Sequence, residues 1–353
     1  MRTLILHGRD DLRLDDRPMP HPGAGEVVIE VTTALTCATD AKMLRLGGHP
    51  ALGSLPAPLG HELCGVVRAI GAGVRSGLLG QRVVAANSAP CGECWACAEG
   101  HEHLCEARAY LTGAFAEYVL VPASIVRRNL LQVPSGMLDV QAALVEPLAC
   151  AVLGAERCTA GPSDWVLVLG GGVQGQLLTS RLAERGCRVA LCDPHPERRD
   201  RALRFGAEVT FRAPRDPQTI AEIKRSLPGG RGGAYVIEAV GRIDAWKAAL
   251  EVARPGAEVT FYGGCAREEV LPVPSADLHY GQLRIQGSYH HTPRTVQIAF
   301  DTLVSDRYPF TELVSRHELA LEEVGAALRA GGEKQVVRPR SEEATRSHNA
   351  RFG

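Results

Sequence analysis

Apolar and polar positions follow two rhythms along this chain, and the change falls near Pro162. Ahead of it, short β-rich runs at 26–36 (EVVIEVTTALT), 63–70 (LCGVVRAI) and 82–86 (RVVAA) alternate with Gly, Pro and polar turns. That spacing predicts a β-barrel, with MRTLILHG as its opening strand. Beyond Pro162, WVLVLG opens a series of apolar strands separated by helix-length segments, the βαβ rhythm of a parallel sheet. Strands are expected at 165–169, 188–193, 208–211, 234–239, 257–262 and 283–289, six in all, enough for a complete doubly wound sheet. The pattern is then helical at 295–305 and 320–330, and the tail from Arg338 onward reads as polar and frayed. The expected domains are 1–155, rejoined by 290–340, and 156–289, with the first boundary in the loop 155–163 (AERCTAGPS).

Composition narrows the class further. A chain of 353 residues is long for one hydrophobic core. Hydrophobic content of 45% with 22% charged residues belongs to a folded globular protein rather than a disordered one. The net charge is -1, and Lys and Arg are scattered among Asp and Glu, so no basic stripe for nucleic acid or a membrane surface is present. A small-molecule partner is expected instead. The most apolar window, Ala142 to Ala155, is broken by Glu146 and Pro147, which argues against a membrane span. The apolar stretch near the start is too short for a signal-peptide core, so cytoplasmic residence is the expectation. Eleven cysteines in that compartment read as thiols or metal ligands, not as a disulfide framework.

Four of them, Cys91, Cys94, Cys97 and Cys105, form CGECWACAEGHEHLC. Two-residue gaps let successive thiolates turn toward one point, and a fourth closes a tetrahedron with Zn–S bonds of about 2.3 Å. Four sulfurs leave no open position, so such a zinc is structural. Four reduced thiols without metal are one rival. An iron–sulfur cluster is the other, but its short spacing wants a Pro after the last Cys, where Glu106 stands. Elsewhere, Cys37 in TCATD and His61 with Glu62 in PLGHELCG offer three further ligand types on two turns of the first domain. Each alone is as ordinary as any buried Cys or His.

A second signature is VLVLGGGVQGQLLTSRLAERG, where Gly170, Gly172 and Gly175 make a GxGxxG that encloses Val173 and Gln174. It follows an apolar strand and heads a helix-like segment, and Asp193 ends the next strand, as a dinucleotide site requires. Glycines permit the tight turn and let a diphosphate approach the helix N-terminus, whose unpaired N–H groups attract it. Asp193 would accept hydrogen bonds from ribose hydroxyls and repel a 2′-phosphate, which favours NAD over NADP. Arg198 and Arg199 weaken that preference, although they read more readily as the solvated first turn of a helix than as phosphate ligands.

These motifs together resemble the zinc-containing medium-chain dehydrogenase/reductase family over nearly the whole chain. In family order they are Cys37 with Thr39 and Asp40; Gly60, His61 and Glu62; the four-Cys lobe; Glu146 in LVEPLAC; and the glycine turn. The resemblance implies an α/β protein with a GroES-like β-barrel catalytic domain and a Rossmann six-stranded parallel sheet. It implies that Cys37, His61 and Glu146 hold a catalytic zinc, with Glu62 a hydrogen-bonded partner or transient ligand. Cys150 is the nearby competitor of Glu146. It makes Thr39 the first relay hydroxyl and Asp40 a support of the metal shell, and it departs at Lys42, where many relatives carry a relay His. A Glu before Pro-Leu, where alcohol dehydrogenases place a Cys, resembles the sorbitol, threonine and sugar dehydrogenase branch. There His290 and His291, in SYHHTPRTV, are similar to a polar pair near substrate and cofactor.

The expectation is a zinc-dependent, NAD-linked dehydrogenase with two zincs per chain, acting on a secondary alcohol or ketone of a polyol, sugar or cyclitol. The family implies a homodimer or homotetramer. The alternatives are an amino-alcohol (threonine-like) or simple alcohol dehydrogenase and, in another class, an NAD-binding sensor or assembly subunit without turnover.

Overall fold

The computed structural model describes residues 1–340. They fall into two compact units, one built from Met1–Ala149 and the segment from Thr292, the other from Cys150–His291. The first division lies inside a helix, Val145–Arg157, rather than in the 155–163 loop where the sequence pattern puts it. Apolar continuity of LVEPLACAVLGA carries that helix through, and Pro147 is tolerated because it sits in the first turn.

The hub of the first unit is the strand Val27–Leu35, whose VVIEVTTAL run is buried along nearly its whole length. It pairs antiparallel with Glu62–Ile70, Tyr118–Val121 and Lys334–Val337. Leu35 lies opposite Glu62 on one neighbour and Val336 on the other. This register brings Lys334–Val337, the last strand among the described residues, beside the GHELCG turn. Leu6, Ile29, Leu63, Phe115 and Ile125 fill the core, joined by Leu321, Val324 and Leu328 at helical spacing on Leu321–Ala330.

In the second unit six parallel strands stand in the order Ala207–Phe211, Arg188–Cys192, Trp165–Leu169, Gly233–Glu238, Ala253–Phe261, Arg284–Gly287. This is the doubly wound order in which the chain reverses direction at Trp165–Leu169. Leu167, Leu169, Val236 and Val259 from the sheet pack with Ile223, Ala249 and Val252 from the helices, as a sheet covered by helices demands. Trp246 stacks on Phe261 with ring centroids 4.0 Å apart.

The fraying expected from Arg338 onward is corrected at its first residues. Arg338 donates to Thr32 O at 3.0 Å and to Glu318 at 2.6 Å, while Arg340 pairs with Glu30 and lies over the Tyr118 ring at 4.9 Å. Charge-assisted bonds to the barrel hold what looked like loose polar chain. The rest of that tail, 341–353, lies outside the described residues. Among the described residues no helix is long and apolar enough to cross a membrane.

Candidate active site

Cys37 sits where the strand Val27–Leu35 ends and the helix Ala38–Leu46 begins, as its N-cap. Its Sγ accepts from Thr39 N at 3.5 Å, so the helix N-terminus faces the sulfur with backbone N–H groups. Asp40, fully buried, completes a capping box by accepting Cys37 N–H at 3.0 Å. Its other oxygen lies 2.9 Å from His61 Nδ1. A single carboxylate therefore fixes both the backbone of Cys37 and the ring of His61, leaving Nε2 as the nitrogen available to a ligand. Burial opposes a charge on His61, yet Asp40 and Cys37 together hold it well above the ordinary imidazole value.

Ligand atoms of Cys37, His61 and Glu62 lie within 4.8 Å of one another. Glu62, however, is already engaged. Lys334 Nζ donates to its two oxygens at 2.7 and 2.5 Å and to Thr36 O at 2.9 Å. Burial pushes Glu62 up to about 7 against the pull of Lys334, with Glu146 adding to the rise. The neighbouring negative groups, Glu62 first, hold Lys334 above its ordinary value despite its burial. Glu146, in the first turn of Val145–Arg157, is buried and acts electrostatically on both, but it stands outside the compact group of three. The donor set of thiolate, imidazole and carboxylate suits zinc, and Asp40 supplies the orienting partner such an imidazole needs.

The four-cysteine lobe has the shape of a closed tetrahedral site. Sγ–Sγ separations are 3.5 Å (Cys91–Cys105), 3.6 Å (Cys94–Cys97), 3.8 Å (Cys94–Cys105) and 3.9 Å (Cys91–Cys97). A tetrahedron with bonds of about 2.3 Å has edges of about 3.8 Å, so one zinc fits among them. Backbone N–H groups of Glu93 and Cys94 point at Cys91, and those of Cys97 and Glu106 lower Cys94 to about 6.

In the second unit the glycine turn closes as its spacing requires. Gly170 adopts φ +102°, and a Cβ on Gly175 would come within 1.8 Å of Gly170 O. Gly172 caps the helix Val173–Glu184, which carries Val173 and Gln174 in its first turn. Asp193 is buried and accepts Gly171 N–H at 2.7 Å and His195 N–H at 2.9 Å. Arg198 Nη1 approaches it at 3.8 Å, and Arg199 instead donates to the carbonyls of Asp193 and Pro194.

Thr39 and Lys42 lie on the helix Ala38–Leu46 and are half-buried. His290 stacks on His291 at 4.2 Å with a backbone φ of +69°, at the end of the second unit, and His291 is buried. Lys334 and Tyr262 are absent from the sequence-based site. Neither belongs to a spaced motif, and Lys334 reaches Glu62 only through the pairing of distant strands. Gln176 is likewise outside the sequence-based site, and it ties the glycine turn to the next helix by donating to Gly171 O and Arg198 O.

The chain is similar to known proteins along its length. The alcohol dehydrogenase GroES-like domain family matches residues 23–134, and the zinc-binding dehydrogenase family matches 175–305. An L-galactonate-5-dehydrogenase of Escherichia coli K12 is 29% identical over 334 residues, covering 90% of this chain and 94% of its own. A probable D-xylulose reductase A of Arthroderma otae is 30% identical over 342 residues, covering 92% and 94%. A solved structure from Sinorhizobium meliloti 1021, described as a zinc-binding dehydrogenase bound to NADP, superposes with TM-score 0.84 at 27% identity and covers 96% of this chain and 99% of its own.

Proposed function

This chain belongs to the zinc-dependent medium-chain dehydrogenase family, and from that premise we propose that it transfers hydride between NAD and a secondary alcohol of a polyol, sugar or cyclitol. The observation that carries the reading is the constellation in which Asp40 holds both Cys37 and His61, with the buried carboxylate of Glu146 acting electrostatically on the adjoining Glu62 and Lys334. Relatives named for galactonate and xylulose chemistry support a hydroxyl-rich substrate.

Cys37, His61 and Glu146 would hold the catalytic metal. We favour Glu146 over Glu62 because Lys334 already occupies both oxygens of Glu62. A zinc bound there would supply Lewis acidity toward a substrate hydroxyl, and a bound nicotinamide would supply the hydride acceptor. Asp40 keeps His61 in the tautomer that presents Nε2. Thr39 would relay the departing proton, accepting it as its own hydroxyl proton passes outward, and Lys42 stands where many relatives carry a relay His. His290 and His291 are the proposed hydrogen-bond partners of further substrate hydroxyls.

Asp193 supports NAD, since its carboxylate, already locked by two backbone N–H groups, would face a 2′-phosphate with like charge. The nearby Arg198 and the NADP-bound relative make a side-by-side comparison of the two cofactors the direct check. Eleven cysteines without a disulfide among them suit a reducing cytoplasm, and family grounds point to a homodimer or homotetramer, readable by light scattering.

A panel of polyols, sugars, threonine and simple alcohols followed by NADH absorbance tests the substrate class. Turnover restricted to threonine or simple alcohols overturns it. Dinucleotide binding without any zinc-dependent turnover would instead mark a sensor.

A further inference from the structure

The dehydrogenase reading leaves Tyr262 without a role, although it is tied at three points. It follows the strand Ala253–Phe261, and its backbone N–H donates to Glu238 O at 3.0 Å. Its ring fills the space above Gly154, where a Cβ would come within 2.6 Å of the ring. Its hydroxyl donates to Gln174 Oε1 at 2.6 Å.

Sheet order says which half of a dinucleotide this pair faces. Asp193 ends the strand on one side of Trp165–Leu169, whereas Glu238 and Phe261 end the two strands on the other side. A dinucleotide crosses the C-terminal strand ends with its diphosphate at the glycine turn. The adenosine half therefore belongs to the Asp193 side and the nicotinamide half to the side of Glu238 and Tyr262. Gln174 stands in the first helical turn between them. With its Oε1 taken by Tyr262, its Nε2 is the atom left to meet a ligand, and an amide nitrogen can only donate.

We propose that Gln174 Nε2 donates a hydrogen bond to the oxygens of the nicotinamide half, its ribose or phosphate, and that Tyr262 is the positioning residue that turns the amide that way. Without the Tyr262 hydroxyl the carboxamide is free to flip and present its oxygen to those same acceptors. This rests on the dinucleotide site of the preceding section and adds a contact on the side remote from Asp193.

The test titrates the intact protein with NADH by fluorescence and with AMP, which carries the adenosine half alone, by competition. Gln174→Leu is expected to weaken NADH about tenfold and leave AMP unchanged. Tyr262→Phe is expected to weaken NADH by a smaller factor, about threefold, again with AMP unchanged and with the melting midpoint near that of the unaltered protein. Equal weakening of AMP and NADH, or an unchanged NADH affinity in Gln174→Leu, overturns the proposal. Weakening in Gln174→Leu with none in Tyr262→Phe overturns the role of Tyr262. An unaltered protein that binds neither NADH nor NADPH would overturn the dinucleotide site itself and this contact with it.

Discussion

Lys334 and Glu62, 272 residues apart in sequence, form a buried ion pair in which one ammonium serves both carboxylate oxygens at 2.7 and 2.5 Å. Removing one partner of such a pair strands the other. Lys334→Ala is therefore expected to lose about 3–5 kcal/mol in a denaturant titration. A double change, Glu62→Gln with Lys334→Met, should recover most of that loss because no uncompensated charge stays inside. A single variant as stable as the unaltered protein would show that the pair carries no such weight.

The two metal centres should separate by mutation. Elemental analysis is expected to find two zincs per chain, with one retained in Cys37→Ser. That variant should lose turnover and keep its melting midpoint. Cys94→Ser should instead melt lower, because a closed site contributes folding free energy. Unchanged melting in Cys94→Ser would contradict a structural zinc there.

Asp40 holds Cys37 N–H at 3.0 Å and lies 2.9 Å from His61 Nδ1. Partners of this kind cost about 10–100-fold in metal affinity or activity when removed. Asp40→Ala is expected to fall in that range in zinc competition assays. A variant with full zinc affinity and full turnover would remove Asp40 from the mechanism.

Gly175 touches the turn so closely that an added Cβ would sit 1.8 Å from Gly170 O. Gly175→Ala must displace backbone, since the atom it meets is a carbonyl oxygen. Loss of NADH binding, read by fluorescence, is expected alongside a lower melting midpoint. Normal affinity in that variant would dissociate the turn from the cofactor.

Glu238 gives a pH signature. Its Oε1 accepts Val240 and Gly241 N–H at 2.7 and 2.9 Å, while Oε2 is buried without a hydrogen-bond partner among the described residues. Burial pushes the carboxyl from 4.5 up to about 7, against those backbone donors. The folded protein thus holds this proton more tightly than the unfolded chain does. Its contribution is greatest below 4.5, is lost as pH rises toward 7, and stays lost above that. The span is on the order of 3 kcal/mol. Urea titrations at several pH values should show Glu238→Gln gaining on the unaltered protein as pH rises through this window. Parallel pH curves would contradict it.

Local signals made much of this architecture readable. Runs such as WVLVL and RVALC are apolar because both faces of the sheet are covered, and they fall on the strands Trp165–Leu169 and Arg188–Cys192. Short spacings also put the four cysteines and the GxGxxG glycines in view, since each motif is closed by a few neighbouring residues. Lys334, Tyr262 and Arg340 stayed hidden for the opposite reason. Each meets its partner through strand pairing or sheet order, and nothing in GGEKQVV or FYGGC marks a long-range hydrogen bond. The same limit hid the anchoring of Arg338, whose polar surroundings in sequence resemble those of a loose end.

The strand Lys334–Val337 has a consequence for biosynthesis. It completes the sheet begun by Val27–Leu35, yet a ribosome makes it only after every residue of Cys150–His291 has been translated. The nucleotide-binding half, contiguous in sequence, can close while the nascent chain is still growing. The metal-binding half must wait with its barrel unfinished and Glu62 without its cation, so assembly runs from the cofactor site toward the chemistry.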